Sequence, residues 1–598
     1  MQSPTSTGAP RRRVRQKRAL AASPTAAAVT VTSAPVTSEG HGASPGGAAV
    51  DLDTAAAVTV TSEPVTSEGH GASPGGAAVG LDRHEENRAV ARERGLWNLF
   101  QWPRRVIRKY IQYVKECKEA GDNFRLTRQA ADRIRSTQPD DVAGSTGPQS
   151  QSVDDDALLG LHNRLAATTI STAFSGIDTP ATAFLMLQHA VGCELGLSPE
   201  DIEKPRNYFA IEWYGNSQQE LLVHPHAAEH VFADISDFWN TAVSEKLDGI
   251  LTENLVDQVL LPLIQKGKAT RTTAYCLKHG CECEEDGKTY MFFLCWSSMR
   301  LRLQEPMILQ ENVSSFPTRL LQQVLGAVYF VQECILNPCH FGFPVVRERK
   351  WVLLRHRYKT GAFSSPMNLF TSMFAQAKQE CTRTGIPAWD VYFAGKPEDM
   401  YQELLWACSR PESKAKTTSG CCKFQSLAEF LQAYHTDFES VKDEFFRSLT
   451  DAETRFLVDY RVLAPGMAYS LNQNPESFAN KSSPEQLQTL IRNGGILWSD
   501  FHGRFLLAKE ALMAQGMPVY ADMLTQGVSM CSFSQPENIR EHIPFARSSH
   551  VGQAGNGMHS MTAGLCLLYA VTQVTQRGPE GMSPVMADLA HSLMSEFL

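Results

Sequence analysis

The sequence predicts an α/β fold built on a doubly wound sheet, and three features of the chain indicate it. Residues 168–187 have the pattern of a strand, a tight turn and a helix. Two further apolar strands follow before residue 235, and two more begin near residues 307 and 350. Strands that alternate with helices are typical of one large sheet domain with helices on both faces.

The first of these units is a candidate ligand-binding turn. A β-rich run from Thr169 to Phe174 leads into Ser175 and Gly176, and Asp178 then offers a helix N-cap. A glycine at the end of a parallel strand lets a ligand approach the backbone, and the helix N-terminus behind it supplies free N–H groups. The segment fits a nucleotide-like cofactor, and an ordinary strand-to-helix connection is the alternative.

Each of the next two strands ends at an acidic residue. The run that begins at Asn207 ends at Glu212, and the run that begins at Glu229 ends with Asp234 and Ile235. In a doubly wound sheet, the acid that closes the second strand accepts hydrogen bonds from a ribose. An acid after the third strand is placed to meet the adenine. A polar residue that merely ends a strand is the alternative at both positions.

The later strands carry charged residues at their ends. Met307 starts a strand that leads into Glu311 and Asn312, and Arg347 and Arg349 precede the last strand. A carboxylate and paired arginines at one sheet edge are suited to hold a small planar polar substrate. Surface ion pairing is the alternative interpretation of the same residues.

Residues 1–95 are predicted to be disordered. Residues 25–53 recur almost unchanged as residues 54–82, and this low-complexity unit holds too few large apolar side chains to form a core. The copies differ at paired positions, namely Ala34 and Glu63, and Asp51 and Gly80. The basic run from Pro10 to Arg18 fits a nuclear localisation signal, a solvated tail or an organellar transit peptide, and we expect a nuclear protein.

Composition limits the class of protein. The chain has 598 residues, of which 43% are hydrophobic, and this is enough for several domains. Its 14 scattered cysteines indicate reduced intracellular thiols. The formal net charge of -8 argues against general attraction to polyanions, so any nucleic-acid surface has to be a local basic patch. No apolar run reaches the roughly 18 residues of a membrane span, and we expect no membrane partner.

The segment from 96 to 136 is predicted to be helical, basic and amphipathic. Apolar residues fall at helical spacing from Val106 to Cys117, with arginines and lysines between them. The pattern favours a packing helix with a solvated charged face over a helix that contacts phosphate or a partner. Residues 136–156 then have the composition of a loose connection.

Helices are also predicted further along the chain. One is expected through residues 319–332, and two more at 424–434 and 437–449 lie within a helical insertion that spans residues 359–493. Lysines around Lys423 make a basic loop, for which a solvated surface is favoured over a phosphate contact.

Taken in order, these blocks resemble the motifs of the cytosine-5 DNA methyltransferase family. The matching blocks are AFSGIDTP at 173–180, AIEW at 210–213, ADI at 233–235, QENV at 310–313, PVVRER at 344–349, the run from Arg504 through Glu510 to QGMP at 515–518, and GNG at 555–557. The resemblance depends more on the order of the blocks than on any single block. The resemblance covers residues 168–571.

The resemblance implies a Rossmann-like methyltransferase sheet and transfer of a methyl group from S-adenosylmethionine to carbon 5 of a flipped cytosine in DNA. A cysteine thiolate adds to the ring while a glutamate holds the ring nitrogen. By the resemblance, Glu311 is that glutamate and Asn312 its structural partner, while Arg347 and Arg349 brace the site. The implied cofactor-binding residues are Phe174, Ser175, Gly176, Ile177, Glu212, Asp234, Ile235 and Asn556.

The sequence departs from the family at the nucleophile. The family has a Pro-Cys dipeptide between the ADI and ENV blocks, and residues 235–310 contain none. The dipeptide Pro338-Cys339 lies on the wrong side of ENV. The cluster of cysteines and a histidine from Cys276 to Cys283 offers an alternative zinc site or a substitute nucleophile, and we predict neither. Asp178 stands where the first motif usually has a glycine.

The predicted organisation has five parts. They are a disordered region at 1–95, the basic helical segment at 96–136, an S-adenosylmethionine-binding domain at 165–358, the insertion at 359–493 as the candidate target-recognition region, and residues 494–598 that complete the methyltransferase domain. We expect a DNA cytosine-5 methyltransferase with S-adenosylmethionine as cofactor and DNA as partner. A catalytically inactive homologue that binds cofactor or DNA is the alternative, which the missing Pro-Cys dipeptide favours.

Overall fold

A computed structural model gives the fold of most of the chain after residue 95 and of one short segment before it. The residues described are 28–33, 92, 95–121, 124–136, 148–212, 214–224, 226–234, 296–297, 299–301, 303–376, 386–410, 422–477, 480–491, 495–520, 523 and 547–576. Within these ranges no helix has the length and apolar character that a membrane crossing requires.

Strands and helices alternate along the described chain. The strands are β1 (Ala28–Ser33), β2 (Thr169–Ala173), β3 (Arg206–Ile211), β4 (His230–Phe232), β5 (Met307–Val313), β6 (Tyr329–Leu336), β7 (Arg349–His356), β8 (Thr360–Phe363), β9 (Ala468–Ser470), β10 (Leu497–Ser499), β11 (Arg504–Phe505) and β12 (Val574–Gln576). The helices are α1 (Trp102–Ala120), α2 (Arg128–Ser136), α3 (Pro148–Ala166), α4 (Thr179–Glu194), α5 (Gly215–Val223), α6 (Thr318–Leu325), α7 (Met367–Ser372), α8 (Pro397–Ser409), α9 (Leu427–Thr436), α10 (Phe438–Arg447), α11 (Asp451–Leu463), α12 (Ala508–Ala514), α13 (Arg547–Asn556) and α14 (Ser560–Gln573).

The central sheet confirms the predicted α/β class. Its strands lie in the order β4-β3-β2-β1-β5-β7-β6. The neighbours from β4 to β5 run parallel, and β7 runs antiparallel to both β5 and β6. The three predicted strands in series are therefore adjacent and parallel, and their carboxyl ends share one edge of the sheet with that of β5.

Helices cover both faces of this sheet. Along β5 and β7 the side chains alternate between the faces, as a strand requires. Leu309 and Leu353 pack in one core with α1, α4 and α14, whereas Ile308 and Leu354 pack in a second core with Leu321 of α6. A sheet buried on both faces is the architecture that the apolar strands predict.

The position between β2 and β5 is held by β1, which was not predicted. The pairing register aligns Thr32 with Ala173 of β2 and Ser33 with Glu311 of β5. In a doubly wound sheet of consecutive strands, this place belongs to the strand that follows β4 in sequence. The prediction of disorder is therefore wrong for residues 28–33, whereas residues 1–27 and 34–91 lie outside the described residues. A run of alternating valine and threonine has high β propensity once a sheet offers it two edges.

The basic helix α1 packs against the sheet domain, as favoured from the sequence. Its Val106 and Tyr110 are buried in the same core as α4. Arg104 and Arg108 pair with Glu194 at the end of α4, at 2.7 and 3.2 Å. Part of the basic face thus binds a carboxylate of the protein itself.

Two local predictions are wrong. The helix predicted for 319–332 ends at Leu325, because Gly326 is its C-cap and the aromatic and β-branched residues from Tyr329 onward form β6. The loose connection predicted for 136–156 includes the start of α3 at Pro148. A proline is well tolerated in the first turn of a helix, where its missing N–H costs no hydrogen bond.

Helices of the insertion share an apolar core with residues 496–507, which follow the insertion in sequence. The helices predicted at 424–434 and 437–449 are confirmed as α9 and α10, and Phe430 and Phe445 from them pack with Trp498 of β10. The helix α11 and the three-stranded sheet β11-β10-β9 were not predicted.

Candidate functional site

The turn after β2 is held in an unusual backbone conformation. Phe174 and Gly176 both have φ of 57° and Asp178 has φ of 55°. The N–H of Ser175 donates to the carbonyl of Ile211 over 3.0 Å, so the turn is fixed to the end of β3. A Cβ on Gly176 would meet nothing within 4 Å, so this part of the turn faces open space.

Glu212, which directly follows the neighbouring strand β3, is hydrogen-bonded to this turn. One carboxylate oxygen accepts the N–H of Gly176 at 2.7 Å, and the other accepts the N–H of Tyr214 at 2.9 Å. The carboxyl is buried. Glu212 therefore shapes the predicted cofactor turn directly.

Asp178 stands at the predicted N-cap position of α4, but its side chain does not cap the helix. One oxygen accepts from Nδ2 of Asn207 at 3.0 Å, because the side chain is directed toward β3. The other oxygen is buried without a hydrogen-bond partner. Burial raises the pKa of Asp178 to about 6, against the weaker lowering effects of Asn207, Thr172 and the backbone N–H of Ala181.

The GNG block comes close to the start of α4. Asn556 is the last residue of α13, and its Oδ1 is buried without a hydrogen-bond partner. A Cβ on Gly557 would lie 3.7 Å from Oγ1 of Thr179, which is the first residue of α4. The structure thus brings together the first and last cofactor blocks. Asp234 follows β4 at the same sheet edge, and Ile235 lies outside the described residues.

Glu311 is the buried acid at the carboxyl end of β5. It is a diagonal neighbour of Arg349 on one face of the sheet, since the register pairs Val313 with Arg349. Nε of Arg349 lies 3.0 Å from Oε1 of Glu311, without the alignment of a hydrogen bond. Burial raises the pKa of Glu311, and the positive charges of Arg349 and Arg347 oppose that shift.

Arg347 lies close enough to Glu311 for their charges to interact, and it binds the GNG block. Its Nη1 and Nη2 atoms both donate to the carbonyl of Gly555 over 3.1 Å. Burial lowers the pKa of Arg347 to about 9, and the neighbouring Arg349 lowers it further. Arg347 and Glu311 are 1% and 2% exposed, so the alternative of a surface ion pair is wrong for them.

Asn312 lies on the opposite face of the sheet from Glu311, as the alternation along a strand requires. Its Oδ1 accepts the N–H of Val313 at 2.9 Å. The structure therefore brings Glu311, Arg347 and Arg349 together and leaves Asn312 in a local backbone contact.

His559 is a residue of this region that the sequence did not single out. It is fully buried at the start of α14, both ring nitrogens lack a hydrogen-bond partner, and its ring meets Phe343 edge-on at 4.6 Å. Burial lowers the pKa of His559 to about 3, and Arg347 contributes. Its place just after the GNG block is the sequence signal that could have marked it.

The described cysteines do not include one beside Glu311 on a neighbouring strand. Pro338-Cys339 forms a short 3-10 turn after β6. Because β7 lies between β5 and β6, this turn is two strands away from Glu311, or roughly 10 Å. The cluster from Cys276 to Cys283 lies outside the described residues.

Comparisons with known proteins give matches among solved structures alone. No family model matches the sequence, and no curated protein matches it. A structure of the Dnmt2 methyltransferase of S. pombe is 14% identical, covers 67% of this chain and 97% of its own, and has a TM-score of 0.32. A Spodoptera frugiperda DNMT2 mutant is 15% identical with a TM-score of 0.29, over 67% of this chain and 98% of its own.

A further match is described as a DNA modification methyltransferase encoded within an E. coli prophage. It is 14% identical, covers 68% of this chain and 99% of its own, and has a TM-score of 0.31. The solved structures named here are thus methyltransferases, similar over about two thirds of this chain. At these identities and TM-scores the function has to be argued from the site of this chain itself.

Proposed function

We propose that this chain is a DNA cytosine-5 methyltransferase that binds S-adenosylmethionine and a cytosine base at the carboxyl edge of its central sheet. The observation that carries the proposal is the buried Glu311, which faces Arg349 at the edge where the turn after β2 opens. Burial raises the pKa of Glu311 and so favours the protonated carboxyl, the form that can donate a hydrogen bond to a ring nitrogen.

The polar groups of the turn fit S-adenosylmethionine. The open space at Gly176 leaves room against the backbone. Buried oxygens of Asp178 and Asn556 lack partners, and a buried acceptor without a partner is costly unless a ligand satisfies it. The ribose hydroxyls and ammonium group of S-adenosylmethionine are donors of that kind. When bound, this molecule would supply the methyl group.

Arg347 gives the proposed base site and cofactor site a common support. It binds the Gly555 carbonyl beside Asn556, and it lies two residues before Arg349, which faces Glu311. A rigid link of this kind is what a two-substrate site needs, since both reactants have to be held in one geometry.

A second candidate is a catalytically inactive homologue that binds cofactor and DNA, and β1 favours it. Ser33, the last residue of β1, pairs with Glu311, so β1 ends where a neighbouring nucleophile would be needed. Residues 28–33 contain no cysteine, and Ala34 and Pro35 follow them. Methyl transfer to carbon 5 needs a thiolate next to the base, whereas binding does not.

The test is transfer of radiolabelled methyl groups from S-adenosylmethionine to cytosine-containing DNA by the full chain, together with equilibrium binding of the cofactor. Glu311→Gln is the site variant. Glu229→Gln is its matched control, because Glu229 forms a surface ion pair with Arg206. The enzyme proposal predicts transfer that Glu311→Gln abolishes and the control retains.

The same experiment separates the two candidates. Cofactor binding without transfer would support the inactive homologue and overturn the enzyme proposal. An absence of both binding and transfer would contradict both candidates, because the turn after β2 is the part that they share.

A further inference from the structure

The helical insertion contains a buried cluster of two cysteines and a glutamate that the proposed methyltransferase function does not use. The ligand atoms of Cys408, Cys422 and Glu444 all lie within 4.8 Å of one another. All three residues are buried, at 4%, 6% and 1% exposure. We propose that these residues bind a zinc ion that joins the helices of the insertion.

Three separate segments bring the ligands together. Cys408 lies in the last turn of α8, Glu444 lies on α10, and Cys422 lies five residues before the start of α9. A metal ion here would join α8 to α10 across the apolar core of the insertion. Such a crosslink contributes most where, as here, the joined segments are distant in sequence.

The donor set favours zinc over the hard cations. Thiolates select zinc and other soft metals, whereas calcium and magnesium take oxygen ligands. Tetrahedral zinc with sulfur ligands at about 2.3 Å separates them by about 3.8 Å, so small side-chain movements close the cluster around the ion. Three protein ligands leave the fourth position to water.

The carboxylate of Glu444 is already supported from outside the cluster. One oxygen accepts the N–H of Lys423 at 2.9 Å, and the other accepts from Nη1 of Arg447 at 3.2 Å. Metal-binding carboxylates are commonly oriented by hydrogen bonds of this kind. Two thiolates, one carboxylate and Zn²⁺ sum to one negative charge, which the guanidinium of Arg447 balances.

A second pair of thiols provides a matched control. Cys334 and Cys566 are also buried and in hydrogen-bond contact with each other, but they lie in the core of the sheet domain. They are not part of a cluster with an acid or a histidine among the described residues. This pair has the thiols without the carboxylate and is expected to bind no zinc.

The experiment measures the zinc content of the full chain, purified without chelator, and its absorption after exchange of zinc for Co²⁺. We expect about one zinc per chain and a sulfur-to-cobalt charge-transfer band. Cys408→Ser, Cys422→Ser and Glu444→Gln should each lower the zinc content several-fold, and Cys566→Ser should leave it unchanged. The cobalt spectrum of the unmodified chain does not depend on whether any variant folds.

Three results would overturn the proposal. One is a purified chain that holds no zinc and gives no charge-transfer band with Co²⁺. Another is a disulfide between Cys408 and Cys422 in the protein purified without reductant. The third is zinc that survives Cys408→Ser and Cys422→Ser and is lost with Cys281→Ser, because the metal would then belong to the cluster from Cys276 to Cys283.

Discussion

Glu510 and Glu311 are both buried glutamates that face an arginine, but their carboxylates are satisfied to different degrees. Glu510 forms two parallel hydrogen bonds with Arg504, at 2.7 and 2.8 Å. It also accepts the N–H groups of Gly395 and Leu507, each at 2.8 Å. Glu311 has Arg349 at 3.0 Å without hydrogen-bond alignment.

This difference in hydrogen bonding indicates that Glu510 is a structural acid and that Glu311 is a candidate functional one. The saturated carboxylate of Glu510 has its lone pairs occupied, and it ties the segment before α8 to the C-terminal part of the domain. The carboxyl of Glu311 keeps hydrogen-bonding capacity that only another molecule or a rearrangement could use. Two acids with similar burial therefore have different expected effects when they are changed.

The largest expected effect is that of Glu510→Ala. Removal of one partner from a buried ion pair leaves Arg504 charged and uncompensated, and we expect the free energy of unfolding to fall by about 3–5 kcal/mol. Urea unfolding followed by tryptophan fluorescence measures it. Glu439→Ala is the control, because its pair with Lys442 is on the surface and should cost at most about 0.5 kcal/mol. A loss for Glu510→Ala as small as that of the control would contradict the structural role.

The variant Asp178→Asn tests a third buried acid, through the pH dependence of the unfolding free energy. The pKa of Asp178 is raised from 3.8 to about 6, so the folded chain holds this proton more tightly than the unfolded chain does. Its contribution to stability is complete below pH 3.8 and is lost as the pH rises to about 6. That loss is about 3 kcal/mol at most, at 1.36 kcal/mol for each pKa unit.

The variant should lack this slope, so the two proteins should differ most in stability above pH 6, with the variant the more stable. The measurement is the unfolding free energy of both proteins across this pH range. Parallel curves would show that Asp178 is ionised at its usual pKa in the folded chain.

Arg347→Lys is expected to have a smaller effect. Lysine keeps the charge but cannot place two N–H donors on the Gly555 carbonyl as the guanidinium does. We expect a loss of about 1–2 kcal/mol in unfolding free energy and weaker binding of S-adenosylmethionine, since the GNG block loses its support. The exposed Arg319→Lys is the control, and equal cofactor affinities in the two variants would refute the link.

The smallest effect on stability is expected for Glu311→Gln, and it sharpens the comparison with Glu510. Because burial raises the pKa of Glu311 and so opposes its charged form, an uncharged amide of the same shape should change the unfolding free energy by less than about 1 kcal/mol. Urea unfolding at neutral pH measures this change. A loss as large as that of Glu510→Ala would mean that Glu311, too, is a structural acid.

Local patterns predicted the parts of the fold that depend on neighbours in sequence. The strand, turn and helix of residues 168–187 were predicted because hydrophobic period and turn chemistry act over a few residues. The capping role of Asp178 was predicted wrongly, because Asn207 on another strand competes for its side chain. The same propensities could not reveal β1, since its place depends on the edges of two distant strands.

The candidate site was predictable as a set of residues but not as an arrangement. Glu311, Arg347 and Arg349 were named from strand ends and from the order of the blocks. Their burial, and the contact of Arg347 with Gly555 at a separation of 208 residues, depend on tertiary packing that no local pattern records. His559 belongs to none of the sequence blocks that were matched. Its burial and its closeness to Arg347 are visible only in the folded chain.

Because the unit that contains β1 is duplicated, the chain carries the sequence of this central strand twice. The six residues of β1, AVTVTS, occur again at 57–62. A chain that starts after residue 34 still carries one copy of this strand sequence, whereas a chain that starts after residue 62 carries none. The duplication therefore leaves one copy of the β1 sequence in a chain that loses the other.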